Sequence, residues 1–274
     1  MNLPRIVLGT QGWSYPDWVG SMYDAGTRPE GYLRAYAREF ASVEIDSTFY
    51  GTPPPERVRR WAAQVPDDFT FALKLSREIT HDRRLLRAEA LVDEFVASAN
   101  EFGPKLEAIL IQLAPDYDPA EIDALEAFAA ALPEGPRWAL ELRDAAWFKG
   151  EVRARLRDML GRRGIALAIV DGTFVPLETM LYELRHPTAS HAYVRWLGRR
   201  ETFPRFDAVQ LDRRPDIEQW AGAIRAAAAQ LARVAGYAGN EYSGHSPGTI
   251  REVYAALGLE HDVPPLVEQT SLFD

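Results

Sequence analysis

Four stretches of this chain set ionisable side chains beside aromatic ones: SVEIDSTFYGTPPP (42–55), FTFALK (69–74), RWALELRDAAW (137–147) and HAYVRWL (191–197). Glu44 and Glu141 have the chemistry of a general acid and base. Lys74, Arg143 and Arg195 could stabilise a phosphate or another oxyanion, the arginines through a bidentate fork. Trp13, Phe49, Tyr50 and Trp147 offer flat faces on which a base or sugar could stack. His81 and Asp171 join Glu44, Glu141 and Lys74 as candidate catalytic groups, and Gln112 and Asn240 join the candidate binding set.

Something must bring these residues together, and periodicity indicates what. Val43 and Ile45 alternate with Glu44 and Asp46, as on a strand with one apolar face. Similar runs occur at 5–9, 69–74, 106–113, 137–142, 165–171, 191–197 and 234–240. Between them lie amphipathic segments at 30–40, 55–64, 88–102, 119–132, 151–160, 215–233 and 247–258, with a short helix expected near 178–184. Eight such alternations predict a single (β/α)8 TIM barrel over 1–262. An open doubly wound sheet is less consistent, because LGTQGW does not match G-x-G-x-x-G.

Active sites of such barrels form at the C-terminal strand ends, and the candidates fall there. Burying unpaired charge is costly, so Glu44, Lys74, Glu141 and Arg195 must pair with one another or meet a ligand. The alternative to a functional cleft is a ring of structural salt bridges across the barrel mouth.

Composition narrows the function. A net charge of −9 argues against broad adhesion to nucleic acid, though not against a local basic cleft. With no cysteine, disulfides, thiolate metal sites and cysteine nucleophiles are excluded. No apolar run reaches the roughly 20 residues of a membrane span, so no membrane partner is expected. The N-terminus enters a strand without an h-region, and a cytoplasmic location is the expectation. No redox-cofactor signature is present. Three readings of the chemistry stay open. The leading one is a hydrolase or lyase using carboxylate acid–base chemistry on an anionic substrate, either a phosphorylated small molecule or a nucleic acid. A metal-dependent sugar-phosphate isomerase or hydrolase could use His81, Glu141, Asp171, Glu241 and His245; without H-x-H or H-E-x-x-H spacing, a divalent metal is not favoured. The third reading is a nucleotide or nucleic-acid binding module without turnover.

GTQGWSYPDWVGSMY, SVEIDSTFYGTP, FTFALKLSREITH, ILIQLAP, ALELRDAAW, AYVRWLG and NEYSGHSP, in that order over 8–258, resemble the YecE-like family, domain of unknown function 72. The resemblance implies a TIM barrel and brings no established reaction. Its marked positions fall here on Trp13, Glu44, Ser47, Phe49, Tyr50, Lys74, Thr80, His81, Gln112, Glu141, Arg143, Trp147, Asp171 and Arg195. Many relatives carry histidine where this chain has Leu197, and Asn-Asn-His-Tyr where it has Gly239 to Tyr242.

The segment 263–274 carries two prolines near its start, Pro264 and Pro265, that separate it from the barrel, and it is expected to be a flexible tail. Its Gln269, Ser271, Leu272 and Phe273 lie in a run resembling the peptide by which repair proteins dock on the DNA polymerase sliding clamp. That would make the clamp a partner and DNA processing or repair the role.

Overall fold

The computed structural model describes residues 4–199, 203–264 and 266, so the proposed clamp-docking residues Gln269, Ser271, Leu272 and Phe273 lie outside the described residues. Eight parallel strands close into a barrel in sequence order. They are β1 (Arg5–Gln11), β2 (Ser42–Ile45), β3 (Thr70–Lys74), β4 (Leu106–Gln112), β5 (Trp138–Glu141), β6 (Ala166–Asp171), β7 (His191–Trp196) and β8 (Arg233–Ala238), with β8 pairing back to β1. The helices are α1 (Tyr32–Tyr36), α2 (Pro55–Ala62), α3 (Glu89–Ala99), α4 (Ile122–Ala131), α5 (Gly150–Arg163), α6 (Leu177–Arg185), α7 (Arg214–Ala227) and α8 (Ser246–Leu257), one after each strand. The fold is the (β/α)8 TIM barrel that the alternation predicts.

Period-two alternation splits the strand side chains into two layers. Val43, Ile45, Phe71, Leu73, Ile109, Ile111, Leu140, Val194 and Trp196 belong to the large core between strands and helices. Their neighbours fill the barrel interior, where Val7, Ala72, Ala108, Leu110, Ala139, Ala166, Ala168 and Ala235 are small or slender and Tyr193 and Tyr237 are large. The alanines make room for the two tyrosine rings, whose centroids lie 5.3 Å apart. The tyrosine hydroxyls are buried and must be hydrogen-bonded. Tyr237 meets Ser42 Oγ at 2.8 Å, and Tyr193 donates to Glu44 Oε2 at 2.6 Å. One step further along the same inward-facing columns stand Glu44, Lys74, Gln112, Glu141 and Arg195. The pleat that builds the interior also brings the site's charges to its upper end.

Two of the sequence-predicted helices shorten most in the structure. The segment 30–40 contains only α1 preceded by a 3-10 turn (Pro29–Gly31), and the segment 215–233 stops at Ala227 because Arg233 already begins β8. His261, just past α8, lies stacked 4.2 Å from Tyr254 and 5.4 Å from Phe40, with Nε2 3.4 Å from Glu39 Oε1. Of the expected flexible tail, Pro264 and Leu266 border a crevice with Met22, Ala35 and Glu39.

Closure between β1 and β2 depends on Gly9. It pairs with Ser42, and the Tyr36 hydroxyl from α1 reaches between the strands to donate to Ser42 O at 2.9 Å and accept from Thr10 N at 2.8 Å. A Cβ at position 9 would lie 1.8 Å from Ser42 O and 2.7 Å from the Tyr36 hydroxyl. Gly9→Ala therefore forces backbone apart inside a closed barrel, and we expect a loss above about 4 kcal/mol, in the range reserved for severe packing defects. Urea unfolding followed by circular dichroism checks this.

Candidate active site at the barrel mouth

Arg195, at the upper end of β7, is almost wholly buried and forks between two carboxylates. Its Nε and Nη2 donate to Glu44 Oε2 and Oε1 at 3.0 and 2.7 Å, and its Nη1 donates to Glu141 Oε2 at 2.5 Å and Gln112 Oε1 at 3.1 Å. Glu44 also accepts from the Tyr193 hydroxyl and from Gln11 Nε2 at 2.9 Å. Four donors on two oxygens occupy the lone pairs a carboxylate offers, so Glu44 is held as an acceptor. Glu141 receives Arg143 Nε on its other oxygen at 2.8 Å. Burial alone would raise the Glu141 pKa, but Arg195 and Arg143 outweigh it and hold the carboxyl at about 2. The two glutamates expected to act as acid and base are thus neutralised by Arg195, and Arg195, expected to anchor a ligand, is committed to them.

Above this layer opens a cavity of about 460 Å³, bordered by Gln11, Asp46, Phe49, Tyr50, Lys74 and Gln112 on one side. Glu141, Arg143, Thr173, Phe174, Leu197 and Glu241 border the other. The loop after β2 is a 3-10 turn (Asp46–Tyr50), fastened to β3 by the Thr48 hydroxyl, which accepts from Lys74 N at 3.0 Å. That turn brings Phe49 under the Lys74 ammonium, 4.0 Å from Nζ to ring centroid. Among the described residues Lys74 Nζ donates no hydrogen bond and has no carboxylate oxygen within 4.0 Å. Burial, reinforced by the Arg195 charge, lowers its pKa below 10.5 despite Asp46, Glu141 and Glu44 nearby.

Asp46 lines the same cavity and touches Arg195 only distantly, with Oδ1 3.8 Å from Nη2. Its side chain is 43 % exposed. Enclosure by the cavity walls and the neighbouring Glu44 charge raise its pKa to about 6, against the pull of Arg195 and Lys74. Arg143 keeps both Nη groups without a hydrogen-bond acceptor among the described residues, its guanidinium carbon 5.2 Å from the Phe174 ring centre.

Of the expected site residues, Lys74, Glu141, Phe49, Tyr50, Gln112, Arg143 and Arg195 border the cavity, and Glu44 lies directly beneath it. Five others do not open onto it. His81 sits in a π-helical turn (Glu78–Asp82) behind Phe49, ring to ring at 5.0 Å, and burial followed by the Lys74 and Arg143 charges lowers its pKa. Asp171 is buried, accepting from Trp220 Nε1 at 2.8 Å and the Tyr242 hydroxyl at 3.0 Å, which ties β6 to α7 and to the loop after β8. Trp13 packs edge-on against Trp61 of α2. Trp147 is fully buried, its Nε1 donating to Tyr117 O at 2.9 Å. Asn240 is buried in the 3-10 turn after β8 (Asn240–Tyr242), and its Oδ1 accepts from Ser246 N at 3.0 Å and Oγ at 2.8 Å at the start of α8.

Of the five proposed metal ligands, Glu141 and Glu241 border the cavity, whereas His81, Asp171 and His245 do not. His245 caps α8 through Nδ1, with burial lowering its pKa to about 4. Among the described residues no three His, Asp or Glu side chains converge to hold a cation. Conversely, Asp46, Thr173 and Phe174 line the cavity although none is among the expected site residues. Asp46 ends a predicted strand and was legible; Thr173 and Phe174 follow β6 in a stretch without periodicity.

A profile for the family described as "Protein of unknown function DUF72" matches residues 7–271. The chain belongs to the DUF72 family. The UPF0759 protein YecE of Escherichia coli K12 is 34% identical over 167 residues, 61% of this chain and 59% of that one, so the match spans less than two thirds of the relative. The UPF0759 protein YunF of Bacillus subtilis is 26% identical over 202 residues, 71% of this chain and 70% of YunF. Crystal structures of DUF72 proteins from Enterococcus faecalis V583 and Thermotoga maritima MSB8 share the fold. Their TM-scores are 0.77 and 0.76 at 20% identity, covering 96% and 93% of this chain and 99% of each neighbour. Among the described residues no helix is long and apolar enough to cross a membrane.

Removing Arg195 strands two buried carboxylates, so Arg195→Met should cost about 3–5 kcal/mol, the scale of a broken buried ion pair, in contrast to the ligand-only effect expected of a surface anchor. Because Glu141 is held near 2 rather than 4.5, its contribution is present above pH 4.5 and lost as pH falls from 4.5 towards 2. Glu141→Gln should be less stable at pH 7 and should lose less of its remaining stability over that window, measured by urea unfolding at each pH.

Proposed function

We propose that this protein is an enzyme that transfers protons on a small organic anion held in the barrel mouth. One observation carries the reading: the charges at the mouth divide into a committed set and an available set. Glu44, Glu141 and Arg195 satisfy one another, which leaves Lys74, Asp46 and the outer nitrogens of Arg143 facing the same cavity. Arg143 supplies a forked donor for a carboxylate or phosphate. Lys74 and Asp46, one with its pKa lowered and the other raised, form the opposed titrating pair that acid–base catalysis uses. Phe49, Tyr50 and Phe174 would flank the apolar part of the substrate.

The size and charge of the cavity favour a small molecule over a nucleic-acid strand. About 460 Å³ falls within the usual range for small-molecule sites. Lys74, Arg143 and Arg195 are matched on its walls by Asp46, Glu141 and Glu241, so no uniformly positive track awaits a phosphate backbone.

Titrating small carboxylates and phosphate esters by calorimetry tests the reading. At least one should bind, and Arg143→Met should weaken it about 10–100-fold, the 1.5–3 kcal/mol of a charge-assisted hydrogen bond. With Asp46 as the base, turnover of that compound rises as pH passes about 6, and Asp46→Asn removes this limb. If no member of the panel binds the intact protein, the reading fails.

A further inference from the structure

The chain has 31 basic residues, and only Lys74, Lys105 and Lys149 are lysines. Arginine serves almost everywhere a cation is needed, including at the other two cationic positions of the cavity. Arginine cannot lose its proton in a protein, whereas a buried lysine can and then carries a nucleophilic lone pair. The other two lysines have different surroundings. Lys105 Nζ donates to Ala62 O at 2.9 Å and Val65 O at 3.0 Å, and Lys149 is exposed just before α5. Of the two lysines that are not exposed, Lys74 is the one whose Nζ has no hydrogen-bond acceptor among the described residues, and it lies against Phe49 beside the buried Arg195 guanidinium. Burial beside another cation is how a lysine amine is made reactive towards carbonyl compounds.

From this geometry we propose that Lys74 is a covalent catalytic residue, its Nζ condensing with the carbonyl group of a small oxo acid whose carboxylate is held by Arg143. The proposal rests on the reading of the barrel mouth as a site for a small organic anion. The unprotonated amine forms a C–N bond to the carbonyl carbon while the C=O π pair moves to oxygen, which takes a proton. A second proton on that oxygen lets it leave as water, and the nitrogen lone pair closes a C=N bond. Amine, carbonyl compound and one proton thus give an iminium ion and one water, with no change of oxidation state. Asp46, on the same wall as Lys74, supplies and recovers the protons, titrating near the pH at which the step must run. The iminium draws electrons from the adjacent carbon, so breaking a C–H or C–C bond next to the former carbonyl becomes the accessible reaction. The Phe49 ring beneath Nζ stabilises that positive nitrogen.

The test is trapping of the imine. The intact protein is incubated with glyoxylate, pyruvate or 2-oxoglutarate and cyanoborohydride, and the products are read by intact mass and peptide mapping. The expected result is one adduct of the oxo acid's mass less one oxygen atom, located at Lys74. It should be lost in Lys74→Arg and Lys74→Met. Adducts confined to Lys149 or the N-terminal amine, or no adduct, overturn the proposal. Parallel melting curves with the matching 2-hydroxy acids, which carry the anion but cannot form an imine, separate the two claims. Stabilisation by hydroxy acids that disappears in Arg143→Met, without trapping, removes covalent chemistry and keeps the anion site. If hydroxy acids do not stabilise the protein and oxo acids are not trapped, both claims fall.

Discussion

A single guanidinium settles the electrostatics of this barrel mouth. Arg195 is buried between Glu44 and Glu141, and none of the three could remain charged there alone, because desolvation of an unpaired ion costs several kcal/mol. Their geometry offsets that cost: a bidentate fork to Glu44, a short contact to Glu141, and further donors from Tyr193, Gln11 and Arg143. The network joins β1, β2, β4, β5 and β7, so it also works as a plug at the top of the barrel interior. Everything above it is defined by what it leaves unpaired.

This arrangement shows why counting carboxylates is a poor guide to catalysis. Glu44 and Glu141 have the residue type and strand-end position of an acid–base pair, yet their oxygens are occupied and the Glu141 carboxyl is driven towards permanent ionisation. Asp46, two residues beyond Glu44 and outside the network, keeps a carboxyl that can exchange a proton near pH 6. The same sorting separates the cations. Arg195 belongs to the plug, Arg143 gives one nitrogen to it and keeps the rest, and Lys74 lies 4.0 Å from an aromatic face.

The sequence carried the barrel clearly, because eight period-two runs alternating with helical ones repeat one physical unit, and each strand's inward column can be followed to its upper end. The same logic brought Lys74, Gln112, Glu141 and Arg195 to one place. It failed where contact depends on partners from elsewhere in the chain. Nothing local distinguishes Trp147, buried against Tyr117 O, from Phe49 at the mouth. Asp171 ends its strand as Glu141 does, yet Trp220 and Tyr242 from later elements capture it. Phe174 follows β6 in a segment without periodicity, and its place on the cavity wall comes from the path of that loop.

In the proposed role, Lys74 is an amine kept available for reaction rather than a fixed countercharge. With only three lysines in the chain, a pH titration of lysine side-chain resonances by NMR can follow each one, with Lys74 assigned by its disappearance in Lys74→Arg. Burial and the adjacent Arg195 require Lys74 to lose its proton below the ordinary lysine value of 10.5. A Lys74 resonance that titrates at or above 10.5 would mean that the carboxylates around it hold its charge in place, and would rule out an amine kept free to react.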